Sequence, residues 1–301
     1  MIEVALIGDG QLARGVAAAL AARTDISLVG PTARAEQASA LRSGAQIVVI
    51  ATTSRLADVL PAIESAVASG SNVIVSAEEA AFPWAVDTAA ATRVHQAALE
   101  HGVTVVGCGL NPGFVFDALV VTLLGVHGPA RRIEVSRTVD LSGFGPAVAA
   151  RLGLGVDPLT FNRGLASGEI LGHAGFAQSM NIVARASGVV LDRVETSIAP
   201  IVEGNLTVGV RQDDIGVLAG QHWYRAQFIG HVSPRNAGLL PCDRVAFDPG
   251  TPAELVATIK PGIRSQAGSQ TIIANSINRV LAAPPGWLTV ADLPPAHSVV
   301  P

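Results

Sequence analysis

The sequence predicts an α/β protein. A Rossmann-type, doubly wound parallel sheet comes first, and a second α+β domain on a mixed sheet follows. Three observations carry this reading. Strand-like and helix-like patterns alternate from Glu3 to Gly109, with strands that are continuous apolar, β-branched runs, as in a sheet covered on both faces. The first strand runs into a glycine loop that opens a helix. Beyond about Leu124 the rhythm changes to longer strands with polar alternation, the mark of a sheet with one solvated or partner-covered face.

The elements follow in order. Glu3–Gly8 is an apolar run ending in glycine. Gln11–Arg23 is alanine-rich and free of proline, hence a helix. Ile26–Gly30 and Gln46–Thr52 are the next strands. Leu56–Gly70 has helical spacing, with Pro61 a local irregularity and Gly70 a C-cap. Asn72–Glu79 reads as a strand, Val86–Gly102 as a long helix and Val103–Gly109 as a strand. In the second part, Arg131–Leu141, Arg193–Glu203 and Gly216–Val232 read as strands and Phe176–Gly188 as a helix. Gln270–Gly286 reads as a closing helix stopped by Pro284-Pro285. The pattern change places the boundaries: residues 1–120 with 265–301 form the nucleotide-binding domain, and 121–264 the substrate and dimerisation domain.

Gly8, Gly10 and Ala13 fit G-x-G-x-x-A between a strand and a helix. Gly8 permits the tight turn, Gly10 lets a pyrophosphate approach the backbone, and Ala13 lets helix and strand pack closely. The unpaired N–H groups of the helix start, around Gln11 and Leu12, face the phosphates. At the end of the second strand no acid follows directly. Thr32 and Arg34 could receive a 2′-phosphate; alternatively Arg34 is a solvated cation and Glu36 reaches the ribose. The balance favours NADP(H), with NAD(H) possible. Ala51, Thr52 and Thr53 leave the third strand at the carboxyl edge, where small and hydroxyl residues line the way to the nicotinamide. A Ser or Thr of the stretch Ala51–Ser54 could also cap the next helix, and both roles can hold at once.

Other candidates come from strand ends and chemistry. Asn111-Pro112-Gly113 sits where open α/β sheets bind ligands. The Asn111 amide could bond a carboxamide or a substrate, or belong to a plain Asn-Pro turn. Asp117 could cap the helix that begins near Ala118. Glu79 could recognise an ammonium or act as a base, or simply lie solvated at a helix start. His173 stands between glycines and could move a proton near working pH, or only make structural hydrogen bonds. Arg137 could bind a substrate carboxylate, or pair at the surface; Asp140, three residues on along the strand, faces the other way. His222, Trp223 and Tyr224 read as sheet and interface residues.

Composition narrows the field. The chain of 301 residues is 49% hydrophobic and 15% charged, which supports a large core. A net charge of −4, from 20 basic and 24 acidic residues, gives no footprint for nucleic acid. Apolar stretches such as Ala118–Leu124 are too short to span a bilayer. No signal-peptide pattern precedes the first strand. Cys108 and Cys242, the only cysteines, lack metal spacing and suggest reduced thiols in a cytoplasmic protein.

Ser76–Trp84, Gly107–Asp117, Arg137–Gly145, Gly172–Gly188 and Asn275–Pro294 form an ordered set. Together they resemble the 2,4-diaminopentanoate dehydrogenases and the wider group of native amine dehydrogenases with a dihydrodipicolinate-reductase-like fold. The resemblance implies an NAD(P)-dependent enzyme that interconverts an amine and a ketone through an imine. It also implies a homodimer acting on a small molecule; separately, no His, Cys and Asp residues stand at metal-ligand spacing, so no metal is expected. His173, Glu79 and Asn111 would be its catalytic residues, and Arg137, with Asn111 and His173, would touch substrate. Two departures stand out: Ser269 and Gln270 occupy a segment where the family tends to carry an acid, and some amine-forming relatives carry a glutamate near the Asn111 position. The competing readings are a reductase of a cyclic imine and a non-catalytic NADP sensor. A need for free ammonia in the ketone reaction separates the amine dehydrogenase from the imine reductase.

Overall fold

A computed structural model describes residues 1–33, 38, 41 and 44–298. It divides into two units, each with a six-stranded sheet. The first comprises Met1–Val121, Asn181–Ala186 and Arg264–Pro301; the second comprises Thr122–Met180 and Ser187–Ile263.

The first unit begins β1 (Ile2–Ile7), α1 (Gln11–Ala21), β2 (Ile26–Thr32), β3 (Ile47–Ile50), α2 (Leu56–Ala68), β4 (Asn72–Val75), α3 (Thr88–His101) and β5 (Thr104–Gly107). Residue alternation along the strands feeds two cores. Ala5, Ile7, Val48, Ile50 and Val73 face α2 and α3. Val4, Leu6, Ile47, Val49 and Ile74 face α1 and the C-terminal helices. Both faces are dry, so the strands read as unbroken apolar runs. α3 starts on Asp87, whose side chain accepts the Ala90 N–H, and stops at Gly102 in the left-handed region, φ 66°. The strand expected over Asn72–Glu79 ends at Val75, and Glu78–Ala81 forms a 3₁₀ turn. This turn lies across the end of β5, close enough that a Cβ on Gly107 would fall 2.3 Å from the Ala80 carbonyl carbon.

After α4 (Ala118–His127), which crosses the unit boundary, come β6 (Ile133–Asp140), α5 (Pro146–Arg151), α6 (Pro158–Ser167) and α7 (Phe176–Ala186). Then follow β7 (Arg193–Glu203), β8 (Leu206–Leu218), β9 (Gln221–His231), β10 (Cys242–Phe247) and β11 (Leu255–Ile259). The sheet order is β11-β10-β6-β9-β8-β7, with β6 and β9 parallel and the other pairs antiparallel. The single strand expected over Gly216–Val232 is a hairpin. Ala219 and Gly220 turn between β8 and β9 with φ of 49° and 74°. Two left-handed residues suit a tight hairpin, but alanine is a poor signal for one, which hid the turn.

The chain then returns to the first unit as α8 (Ser265–Asn275), α9 (Ile277–Leu281) and β12 (Gly286–Leu288). The continuous helix expected over Gln270–Gly286 is therefore corrected. It starts earlier, breaks at Ser276, whose hydroxyl donates to the Ile272 carbonyl, and ends before Pro284-Pro285. β12 is too short to show a period, yet it completes the order β12-β5-β4-β3-β1-β2, all parallel. Its Trp287 is fully buried and donates its indole N–H to the Ala80 carbonyl at 3.1 Å. Among the described residues no helix is long and apolar enough to cross a membrane.

Candidate active site

The carboxyl ends of β1 to β5 bring the candidates of the first unit to one edge. Gly8 has φ +126°, and a Cβ there would fall 2.2 Å from the Ala51 carbonyl oxygen and 3.3 Å from the Ala13 methyl. Gly8 and Ala13 thus let β1, β3 and α1 close on one another. Gly10 is different: no described atom lies within 4 Å of where its Cβ would be. It N-caps α1 with no side-chain cap bond, and no acid stands in the first turn. The amides of Gln11, Leu12 and Ala13 begin the helix, where backbone donors lack carbonyl partners within the helix itself. A glycine open to space above such amides fits the phosphates of a dinucleotide. Thr32 ends β2, and its carbonyl accepts the Gly8 N–H at 2.9 Å. Arg34, expected to receive a 2′-phosphate, lies outside the described residues, as does Glu36.

The next strand ends hold one another. The Ala51 N–H donates to the Ile7 carbonyl at 2.8 Å, Thr52 is exposed, and the Thr53 hydroxyl donates to Asp58 at 3.2 Å. α2 starts without a side-chain cap bond from the residue before it. Its N-cap is Arg55, and Glu79 instead accepts the Leu56 N–H at 2.7 Å while its own N–H reaches the Ser54 carbonyl at 3.3 Å. A carboxylate at a helix N-terminus is stabilised by the free amides and the dipole. Glu79 is therefore half-buried at the helix start, with one oxygen fastening α2.

The segment after β5 is built around glycine and one acid. Gly113 has φ +135°, and its Cβ would strike the Gly109 carbonyl oxygen at 1.9 Å. Asp117 is fully buried; its two oxygens accept the Gly113 N–H at 2.8 Å and the Ala118 N–H at 2.7 Å. It caps α4 as expected and also ties the Asn111–Gly113 turn shut. The Asn111–Pro112 peptide is cis, and Asn111 is half-buried. From α8, the Ser269 hydroxyl accepts the Leu110 N–H at 3.2 Å. Gln270 lies over Gly15 of α1, where a Cβ would meet its amide carbon at 2.0 Å. Ser269 and Gln270 are thus framework here.

In the second unit, His173 stacks on Phe176 with centroids 4.5 Å apart and planes within 5°, and leans on Phe228 at 5.1 Å. Its Nδ1 is buried with no hydrogen-bond partner among the described residues. Burial first, then the positive charges of Arg137 and Arg151, push its pKa down to about 3, against a weaker upward pull from the Ala174 backbone. The expectation of a histidine titrating near working pH is corrected: the imidazole is neutral there, because an apolar pocket and two guanidiniums penalise its cation. Arg137 is 1% exposed rather than at the surface. Its Nε lies 2.7 Å from Asp243 and its guanidinium donates to the Ile263 carbonyl. Asp140, on the same strand, is exposed, as the strand alternation requires. Trp223 and Tyr224 are buried in the sheet and His222 is exposed.

The sequence reading missed Asp243, Arg151 and the pair Gln212 and Asp214. The last two are 3% exposed on β8. Their only signal was polar residues two apart in a strand, which alone does not say which face is buried. Among the described residues no cluster of His, Cys, Asp or Glu is placed to hold a metal ion.

A family model and a curated relative point to one family, and solved structures share the fold. Residues 114–301 match the model of the 2,4-diaminopentanoate dehydrogenase C-terminal domain. The chain is 30% identical over 270 residues to a 2,4-diaminopentanoate dehydrogenase of Acetoanaerobium sticklandii, covering 85% of this chain and 76% of the other. An amine dehydrogenase from Mycobacterium smegmatis superposes with a TM-score of 0.82 at 18% identity, over 99% of this chain and 97% of that one. GenD2 from gentamicin A biosynthesis, in complex with NAD, superposes with a TM-score of 0.50 at 16% identity, over 85% of this chain and 72% of that one.

Proposed function

The chain belongs to the 2,4-diaminopentanoate dehydrogenase family, and from that premise we propose that it oxidises a primary amine on a small amino-acid-like substrate to the ketone, by way of an imine, preferring NADP(H). It is an NAD(P)-dependent oxidoreductase acting on carbon–nitrogen bonds. The observation that carries the cofactor reading is the open space over Gly10 at an uncapped helix start. When bound, a nicotinamide supplies the hydride acceptor or donor.

The chain's own residues do the rest. Backbone N–H groups of Gln11, Leu12 and Ala13 hold the pyrophosphate, with Gly8 and Gly10 keeping bulk away. Thr32 and Arg34 receive a 2′-phosphate, which is the ground for NADP(H). Ala51, Thr52 and Thr53 line the path toward the nicotinamide. The Asn111 amide orients the reactive end of cofactor or substrate; it exchanges no proton. The neutral His173 imidazole accepts a hydrogen bond from the amine or from the water that hydrolyses the imine. Glu79 serves through its place at the α2 start. Arg137 shapes the charge around His173 from its pair with Asp243. The same reading takes the protein as a cytoplasmic homodimer, with no nucleic acid or membrane partner.

The test supplies the purified protein with 2,4-diaminopentanoate and a panel of small amines, with NADP⁺ or NAD⁺, and follows the nicotinamide absorbance band. Turnover with a larger kcat/KM for NADP⁺, and ketone reduction that requires free ammonia, are expected. Reduction of a cyclic imine without ammonia would replace this reading with the imine-reductase one. Cofactor binding with no absorbance change on any substrate would leave a sensor.

A further inference from the structure

We infer that Gln212 is a positioning residue for His173, its side-chain amide oriented by Asp214 and Thr196 so that the loop carrying the imidazole is fixed as a unit. The inference rests on the reading that His173 contributes to the reaction.

The geometry is a closed chain of polar contacts on one face of a sheet. Gln212 Oε1 accepts the His173 N–H at 2.7 Å, and Gln212 Nε2 donates to the His173 carbonyl at 3.0 Å. The side-chain amide therefore pairs with one loop residue as a neighbouring strand would. The second proton on Nε2 goes to Asp214 Oδ2 at 2.8 Å, and Thr196 donates to Asp214 Oδ1. A flipped amide would turn its oxygen toward two acceptors, so the network permits one orientation only. Gln212 and Asp214 lie two apart on β8 and share a face. Register places Thr196 opposite Asp214 on β7 and Phe228 opposite Gln212 on β9. The strand position that sets the amide thus also sets one of the rings against His173.

The loop is shaped to receive this amide. Gly172 has φ +65°, and a Cβ on it would lie 2.3 Å from Gln212 Oε1. Phe176, at the start of α7, stacks on the imidazole. Phe176 stacks on the imidazole and Phe228 leans on it, the amide holds its backbone, and Nδ1 is buried with no hydrogen-bond partner among the described residues. An unspent buried polar atom is costly, and a clamp that directs it is what a ligand-facing histidine requires. A loop fastened only for stability would need neither the stacked ring nor an uncommitted Nδ1.

The experiment is a cycle between Gln212→Leu and His173→Asn, read by steady-state kinetics on the best amine found, with thermal unfolding and long-range ¹H–¹⁵N spectra of the imidazoles. Expected are a fall in kcat of about tenfold or more for Gln212→Leu with a smaller change in KM, and an effect under about twofold when His173→Asn is already present. The His173 imidazole signals should shift or broaden in Gln212→Leu. Asp214→Asn can still accept from Gln212, with Thr196 turning to accept in its place, so it should retain activity that Asp214→Leu loses. Should Gln212→Leu not fold, this Asp214 pair carries the test. Equal losses from Gln212→Leu in both backgrounds, or unchanged imidazole signals, would overturn the inference. If His173→Asn retains full activity, the catalytic reading of His173 falls, and the shift of its signals alone decides whether Gln212 positions it.

Discussion

In the first unit the groups that the proposed function gives to the cofactor are mostly backbone. Gly8 and Gly113 sit where a Cβ would strike a carbonyl, Gly10 opens onto space, and α1 begins without a side-chain cap. In the second unit the polar groups singled out are side chains: the half-buried His173 against two rings, Arg137 against Asp243, and Gln212 held by Asp214. A phosphate needs amides at fixed spacing, which a helix end supplies whatever the side chains. A substrate must be told from its analogues, and that takes placed polar atoms. The first arrangement fails when a side chain is added, the second when one is removed.

Arg137 is the place to break the second arrangement hardest. Arg137→Met leaves Asp243 charged and buried, so a loss of about 3–5 kcal/mol in urea unfolding is expected. The double variant with Asp243→Leu should recover most of it. If Arg137→Met is as stable as the parent while KM for a carboxylate substrate rises, Arg137 binds substrate and the pair is incidental.

Gly8 and Gly10 test the first arrangement against itself. Gly8→Ala forces a methyl into the Ala51 carbonyl at a positive φ, and about 2–4 kcal/mol of stability should go. Gly10→Ala meets no atom of the described residues within 4 Å, so unfolding should move by less than about 0.5 kcal/mol. Its NADPH affinity, measured by calorimetry, should nonetheless fall about tenfold or more, since the methyl occupies the ligand's space. Equal affinity in Gly10→Ala would mean the open space serves no dinucleotide.

His173 gives the comparison a pH axis. Its unfolded pKa is near 6.5 and its folded one about 3. Between those values the unfolded chain binds a proton that the native chain refuses, so acid favours unfolding across the window. Stability is whole above about pH 6.5 and falls toward pH 3 with a slope of up to about 1.4 kcal/mol per pH unit from this group. Asp214, whose carboxyl burial pushes up, works in the opposite sense. The measurement is therefore the difference between parent and His173→Asn over pH 4–7. Parallel curves would remove the buried neutral histidine.

The same contrast explains what could be read from the sequence. Glycine spacing after an apolar strand reports backbone geometry directly, so the loop Gly8–Ala13 and the parallel sheet were legible. The Ala219-Gly220 hairpin was not, because one of its two left-handed residues is alanine. Nor was β12, three residues long and recognisable only beside β5. The partners of His173 and Arg137 come from strands far along the chain. Gln212 and Asp243 acquire their roles through register, and register is not written in any local pattern.

Glu79 sharpens the boundary between the two modes, since it is a side chain working on backbone. Its carboxylate accepts the first amide of α2, and its place at a strand end makes it a catalytic candidate as well. Glu79→Gln keeps an oxygen for Leu56 but loses the charge that favours a helix start, so stability should drop by about 0.5–1 kcal/mol. Glu79→Ala removes the cap altogether and should cost about 1–2 kcal/mol. If Glu79 acts only through α2, kcat for Glu79→Gln stays within about threefold of the parent and the flat part of the pH–rate profile is unmoved. A fall in kcat of about a hundredfold at unchanged stability would instead put its second oxygen in contact with the reacting amine. The first unit would then contribute a side chain to the chemistry, and the division between a backbone half and a side-chain half would hold for the phosphates alone.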